Sequence, residues 1–307
     1  MKAPFELEWT GAFPARCVRR RRPSTDDLPW GTLDLARYSP ALLLQARRAW
    51  TEGVVSEYAT ALGLGRLASA LLEARAPIDL TGMISDFILD EMVHVELNAR
   101  MAMELGGAAP VAIDTADLGA GARNDDGDGD GDGDGDDAGD DDGGSGDDPV
   151  ERAALLALRI CCVGEAFSLP MLAAMARAAR HPLAHALLGR IAREEAPHAR
   201  GGADVVAWAL PRLGDAARRR LAAAAVDEIA VLRGYWADLA PATAASGATT
   251  GATTRSGHPV EHVLELGWLE AGRYAALARG VAARAVIEPI ARLGVPIDRV
   301  AAKAALG

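Results

Sequence analysis

Cysteine, aromatic side chains and long apolar runs are all scarce in this chain of 307 residues. Its three cysteines are Cys17, Cys161 and Cys162, and they do not form the spaced set that a disulfide framework needs. We therefore expect a reducing, cytoplasmic setting. The first residues lack the apolar core of a signal peptide. No uncharged apolar run approaches the roughly 18 residues of a membrane span, so we expect no membrane partner.

An excess of basic charge is also missing, since the formal net charge is −11. Residues 124–148 contain 13 Asp and no basic residue, so the remaining residues carry a net charge of +2. A nearly neutral folded part predicts no nucleic-acid partner. The GDGDGDGD repeat in this segment is too charged and glycine-rich to pack, which predicts a disordered spacer. Calcium binding is the alternative, but the repeat lacks the nonapeptide pattern of calcium-binding β-rolls.

Half of the residues are hydrophobic, and the abundance of Ala, Leu and Arg favours helices. Hydrophobic periodicity and breakers predict four long helices, at about 40–75, 79–105, 149–177 and 182–210. A proline-rich irregular arm, 1–40, precedes them. The bundle, 41–212, contains the crossover 113–149, which is Asp/Gly-rich and expected to be disordered, and further helices in 213–307 are expected to pack on the bundle.

Two Glu-x-x-His motifs are the main chemical signal, namely Glu91–His94 and Glu195–His198. Residues i and i+3 lie on one face of a helix, with their Cβ atoms about 5–6 Å apart. The Glu and the His of each motif can therefore bind the same metal ion. Chance placement of 17 Glu and 6 His predicts fewer than one such pair. Each motif is preceded by a glutamate in an apolar helical stretch: Glu57 lies 34 residues before Glu91, and Glu165 lies 30 before Glu195.

The order Glu, Glu-x-x-His, Glu, Glu-x-x-His resembles the ferritin-like di-iron or di-manganese carboxylate proteins. The resemblance covers roughly residues 41–212. It implies an all-α fold, a ferritin-like four-helix bundle with one long crossover, to which the C-terminal helices are added. It also implies two Fe or two Mn ions, held by Glu57, Glu91, His94, Glu165, Glu195 and His198. Four carboxylates balance two divalent ions, whereas four metal-free glutamates in a dry core are costly.

Acidic residues precede both motifs, at Asp90 and Glu194. The resemblance implies that each accepts a hydrogen bond from the opposite histidine, Asp90 from His198 and Glu194 from His94. The alternative for these two residues is a solvated helix face. The alternative for the six proposed ligands is that the inward face of a helix is assigned wrongly, so that its glutamate faces water. Cys161, one turn before Glu165, either lines the site or is an ordinary buried cysteine.

The resemblance implies an oxidoreductase that uses O2 or peroxide to oxidise a small substrate, with a separate electron donor. A ferritin-like ferroxidase, or iron store, is the second hypothesis. Against it stand the 40 residues before the bundle and about 95 after it. A manganese catalase and a metal-free helical scaffold are further alternatives. No Cys-x-x-Cys pair is present, so a rubrerythrin-type electron domain is not expected. The oligomeric state stays open, a homodimer included.

Overall fold

The fold is almost entirely helical in a computed structural model that describes residues 2–4, 23–114, 148–237, 239, 253–254 and 256–307. Residues 1 and 5–22 of the predicted irregular arm, which include Cys17, and most of the predicted spacer lie outside these residues. Two short strands, β1 (Lys2–Pro4) and β2 (Ala112–Asp114), pair antiparallel. Both fall within segments predicted to be irregular or disordered. The pairing joins residues more than 100 positions apart, which local sequence patterns do not reveal.

Four long helices carry most of the fold. They are α1 (Pro40–Glu73), α2 (Ile78–Glu104), α3 (Pro149–Ala178) and α4 (Pro182–Ala209). Their bounds agree with the predicted ones to within a few residues. Three of them begin at a proline that follows a capping side chain, namely Ser39, Asp148 and His181. Each cap accepts a backbone N–H of the first turn, and proline is preorganised for the first helical position.

The four helices enclose one common interior. α1 packs against α2 and α3, and α4 also packs against α2 and α3. The stripe along α1 that sequence periodicity predicts to be inward, from Trp50 to Leu71, is buried except at Glu57, which is partly exposed. Helix α1 therefore presents a single carboxylate along an otherwise apolar inner face.

Helix α3 contains a π-helical segment, Leu158–Glu165. At its end, the Ala166 N–H donates to the Cys161 carbonyl, five residues earlier. A uniform period of 3.6 residues predicts that Leu169 and Leu172 face inward. Both are only partly buried, and Leu172 packs against a hydrophobic core cluster, whereas Phe167, Met171 and Met175 are buried. The wider π turn contains an extra residue, so every later side chain is rotated relative to an uninterrupted α-helix.

By length and composition, α3 is apolar enough to cross a membrane. A buried core helix passes the same test, so this property is weak evidence for a membrane span. In the structure, 56% of the most apolar window is buried against the rest of the protein. Much of the apolar surface of α3 is thus buried in the protein interior.

Shorter helices follow the four long ones. They are α5 (Asp215–Leu232), α6 (Val260–Glu265), α7 (Ala271–Val281, a π-helical segment Ala282–Ile287, and Glu288–Arg292) and α8 (Arg299–Ala305). Side chains of α5, α7 and α8, such as Leu221, Val286 and Ala302, share one hydrophobic cluster with α1, α3 and α4. Gly214 occupies the N-cap position of α5, and Asp215 is the first residue of the helix.

Candidate metal centre

The long helices bring the six predicted ligands together in the interior. One group consists of Glu57, Glu91, His94 and Glu195, and a second of Glu91, Glu165, Glu195 and His198. Within each group, one nitrogen or oxygen atom from every side chain lies within 4.8 Å of the others. Glu91 and Glu195 belong to both groups. The two groups therefore share two carboxylates, and this buried cluster could hold a metal ion.

The two histidines approach the shared carboxylates in nearly equivalent ways. His198 Nδ1 lies 2.9 Å from Glu91 Oε1 and 2.8 Å from Glu195 Oε2. His94 Nδ1 lies 2.9 Å from Glu195 Oε1 and 3.6 Å from Glu91 Oε2. Both rings therefore direct Nδ1 into the space between the carboxylates, and each motif contributes the same donor set.

Burial makes this cluster costly unless something compensates its charge. Glu91, His94 and His198 are fully buried, and Glu195 is 1% exposed. Within the described part of the chain, several inward atoms are buried without a hydrogen-bond partner, namely both Glu91 carboxylate oxygens, Glu195 Oε2 and Nδ1 of His94 and of His198. Buried polar atoms are normally satisfied, so a convergent set of unsatisfied ones indicates a missing partner. Oxygen and imidazole nitrogen donors fit Fe²⁺ or Mn²⁺.

The outer nitrogens of the two rings contact carboxylates in a crossed pattern. His94 Nε2 lies 3.1 Å from Glu194 Oε2, and His198 Nε2 lies 3.4 Å from Asp90 Oδ2. Each acidic residue therefore contacts the histidine of the other motif, which is the pairing that the resemblance implies. A hydrogen bond on Nε2 fixes the ring orientation and leaves Nδ1 available to an ion.

Without an ion, the cluster must hold protons. Burial, followed by repulsion from the shared carboxylates, raises the pKa values of Glu57 and Glu165 well above 4.5. Burial lowers the pKa of His198, but its contacts with the Asp90, Glu195 and Glu91 carboxylates outweigh this and raise it to about 12. The pKa of His94 is also raised, because its contacts with Glu194, Glu195 and Glu91 outweigh burial.

These shifts predict how the stability of the metal-free protein depends on pH. A pKa raised by folding contributes stability below the unfolded pKa, and this contribution is lost as the pH rises. The loss begins above about 4.5 for the two glutamates and above about 6.5 for the histidines. We expect the melting temperature in chelator to fall from pH 5 to pH 9. Bound metal should weaken this fall, because it replaces the protons. A metal-free protein that is more stable at pH 9 would contradict the assignment.

Adjacent glycines, Gly201 and Gly202, let α4 approach its neighbours near His198. A Cβ on Gly201 would lie 2.6 Å from the Phe87 ring, which packs on the His198 ring with 4.3 Å between centroids. A Cβ on Gly202 would collide with the Cβ of Cys161 in the π-helical segment. The sequence analysis did not identify this role of the two glycines. Paired glycines one turn after a ligand were the available signal.

The collision predicts the outcome of Gly202→Ala. Cys161 Cβ is fixed to the α3 backbone, so α3 and α4 must separate, and overpacking of this kind costs about 1–3 kcal/mol. We expect a lower melting temperature together with weaker metal binding. Gly65→Ala is the matched control, because a Cβ there meets no atom within 4 Å in helix α1. That change should add about 0.5–1 kcal/mol of stability. Equal metal affinity in both variants would contradict the spacing role of Gly202.

Other candidate residues have ordinary structural roles. Cys161 is fully buried, and burial raises the pKa of its thiol well above the usual value. Pro197 lies between Glu195 and His198, yet helix α4 is continuous through it. His258 Nδ1 lies 3.4 Å from Ser39 Oγ, and His262 packs edge-on against Tyr38 at 5.3 Å.

No protein-family model, curated protein or solved structure matches this chain.

Proposed function

We propose that this protein is a ferritin-like dimetal carboxylate oxidoreductase. In this proposal, α1–α4 form the ferritin-like bundle, and two Fe or two Mn ions are held between them. The observation that carries it is the pair of four-donor groups that share Glu91 and Glu195. A single metal site does not need a second histidine motif in the same geometry, whereas two bridged ions use every donor in the cluster.

The donor set determines which ions are proposed. Each group combines three carboxylates with one imidazole. Such oxygen-rich sites with nitrogen suit Fe²⁺ and Mn²⁺, whereas thiolate donors favour zinc, copper or iron–sulfur clusters. The four glutamates together balance the charge of two divalent ions, which removes the cost of burying them. Iron is the first candidate, and manganese is the alternative.

Two redox-active ions would supply two-electron chemistry with O2 or peroxide, and the protein itself supplies binding, orientation and electrostatics. The chain's own residues would bind the ions through the six ligands. Asp90 and Glu194 would orient the imidazoles. Phe87 and the aliphatic side chains around the cluster would exclude bulk water. The proposed substrate is a small organic molecule, and an electron donor outside this chain would complete each turnover.

A combined metal and oxygen measurement tests the proposal. The protein should be purified after expression with iron and with manganese, and the bound metal should be counted. We expect about two equivalents of one of these metals per chain, because each four-donor group accommodates one ion. Steady-state O2 consumption with chemical reductants then separates an oxidoreductase from an iron store. An enzyme consumes O2 over many turnovers, whereas a store stops when its added Fe²⁺ is oxidised. Protein that retains no metal would indicate a metal-free scaffold.

A further inference from the structure

Residues 23–31, here called the N-terminal strap, cross the surface of α2. Within the strap, the Thr25 hydroxyl donates to Glu96 Oε1 at 2.6 Å, and the Gly31 N–H donates to Glu104 Oε1 at 2.6 Å. Glu96 and Glu104 lie two turns apart on α2. The strap is therefore docked along α2 by polar contacts, although this part of the chain was predicted to be an irregular arm.

Arg190 on α4 holds the other side of the strap. Its side chain is 8% exposed, and its guanidinium donates to the carbonyls of Ser24 and Pro23 at 2.9 and 3.0 Å. The same guanidinium donates through Nε to Glu194 Oε1 at 3.1 Å. Arginine presents several donors in a fixed planar fork, so one side chain can hold these three acceptors together.

Glu194 extends this chain of contacts to the proposed metal centre. One oxygen of its carboxylate accepts from Arg190, and the other lies 3.1 Å from His94 Nε2. The sequence of contacts is strap, Arg190, Glu194 and His94.

The contact chain reaches only one of the two proposed metal positions. His94 belongs to the group that contains Glu57, whereas His198 belongs to the group that contains Glu165.

We propose that Arg190 is a positioning residue that couples docking of the strap to retention of the ion in the Glu57/His94 group. This inference rests on the proposed dimetal centre. Arg190 orients Glu194, and Glu194 orients His94, so undocking of the strap loosens one ligand of one position. The consequence is two metal ions of unequal lability, with the Glu57/His94 ion controlled from the protein surface.

The test measures release of Fe²⁺ from the loaded full-length protein to a coloured chelator without oxygen. Loss of the outer partner of a metal ligand typically costs about 10–100-fold in affinity, and Arg190 acts on His94 only through such a partner, Glu194. We therefore expect Arg190→Ala to release one of two equivalents faster by about 10-fold, the lower end of that range, and to leave the other unchanged. The Glu57→Ala variant lacks a ligand of the Glu57/His94 group only. The release phase that this variant loses is therefore the phase that Arg190→Ala should accelerate. Arg190→Lys should behave like the alanine variant, since one ammonium does not reproduce the fork.

Arg220→Ala is the matched control. Arg220 pairs with the buried Glu151 at 2.6 and 2.7 Å, and neither residue belongs to the metal cluster. Arg220→Ala should lower the melting temperature without changing the rate of either phase of Fe²⁺ release. Thr25→Val loosens the strap from α2 without touching Arg190, and it should accelerate the same phase as Arg190→Ala.

Several results would overturn the inference. They are equal acceleration of both phases in Arg190→Ala, restoration of slow release by lysine, an unchanged release in Thr25→Val, and acceleration in Arg220→Ala. A parent protein that holds no stoichiometric Fe²⁺ overturns the dimetal centre and the inference together. A parent with two ions and an unaffected Arg190→Ala overturns the inference alone.

Discussion

Glu165→Ala should lower iron-dependent O2 consumption by more than about 100-fold, since loss of mere outer partners already costs about 10–100-fold. Glu165 belongs to only one of the two groups, so we also expect the loss of one equivalent of metal. The melting temperature of the iron-free protein should remain the same or rise. Burial raises the pKa of this carboxyl well above 4.5, which shows that its ionised form is disfavoured in the interior.

The iron-loaded proteins should behave in the opposite way. Metal that binds only the folded state stabilises it, by about 4 kcal/mol at a thousand times Kd. The increase in melting temperature on adding Fe²⁺ without oxygen should therefore be smaller in Glu165→Ala than in the parent. Ser168→Ala is the graded control, because Ser168 Oγ donates to Glu165 Oε2 at 3.0 Å and should alter affinity only modestly. An equal increase in mutant and parent would show that Glu165 is not a ligand.

Glu91→Gln should remove both equivalents of metal and abolish O2 consumption. Glu91 is fully buried, belongs to both groups and lies 2.9 Å from His198 Nδ1. An amide has nearly the same shape as the carboxylate, so the fold should persist, but it lacks the negative charge that the two proposed ions would share. Metal analysis and O2 consumption on the folded variant check this result.

Glu151→Gln is the control for the loss of a buried carboxylate. Glu151 is 4% exposed and is paired with Arg220. The variant should lose stability by about 1–3 kcal/mol, because a charge-assisted hydrogen-bond pair is weakened. It should keep both metal ions. If Glu91→Gln retained one equivalent, Glu91 would serve one position only, and the bridging role would be wrong.

Sequence periodicity and capping signals were sufficient for the long helices. Ser39-Pro40 and Asp148-Pro149 mark helix starts through local hydrogen bonds and a fixed proline φ, which depend on neighbouring residues alone. The i, i+3 spacing of Glu91 and His94 likewise places two donors on one helix face without any tertiary information. The six residues whose side chains converge in the structure could therefore be identified from the sequence.

Interactions between distant segments were beyond the reach of these local patterns. The strap contacts α2 and α4 through residues as far apart as Ser24 and Arg190. The clash that makes Gly202 necessary involves Cys161 on another helix. Neither relation leaves a periodic signal, because each depends on how closely two helices or segments approach.

The sequence by itself determined the helices, their apolar faces and the donor residues, because helix formation and amphipathic periodicity are properties of neighbouring residues. Only the tertiary structure decided the inward phase of α3, the crossed carboxylate contacts and the link from the strap to His94. The π-helical segment adds one residue to a turn of α3 and so rotates all later side chains, which a constant helical period does not predict. The crossed contacts and the strap require the relative positions of α2 and α4, which packing sets and no single helix contains.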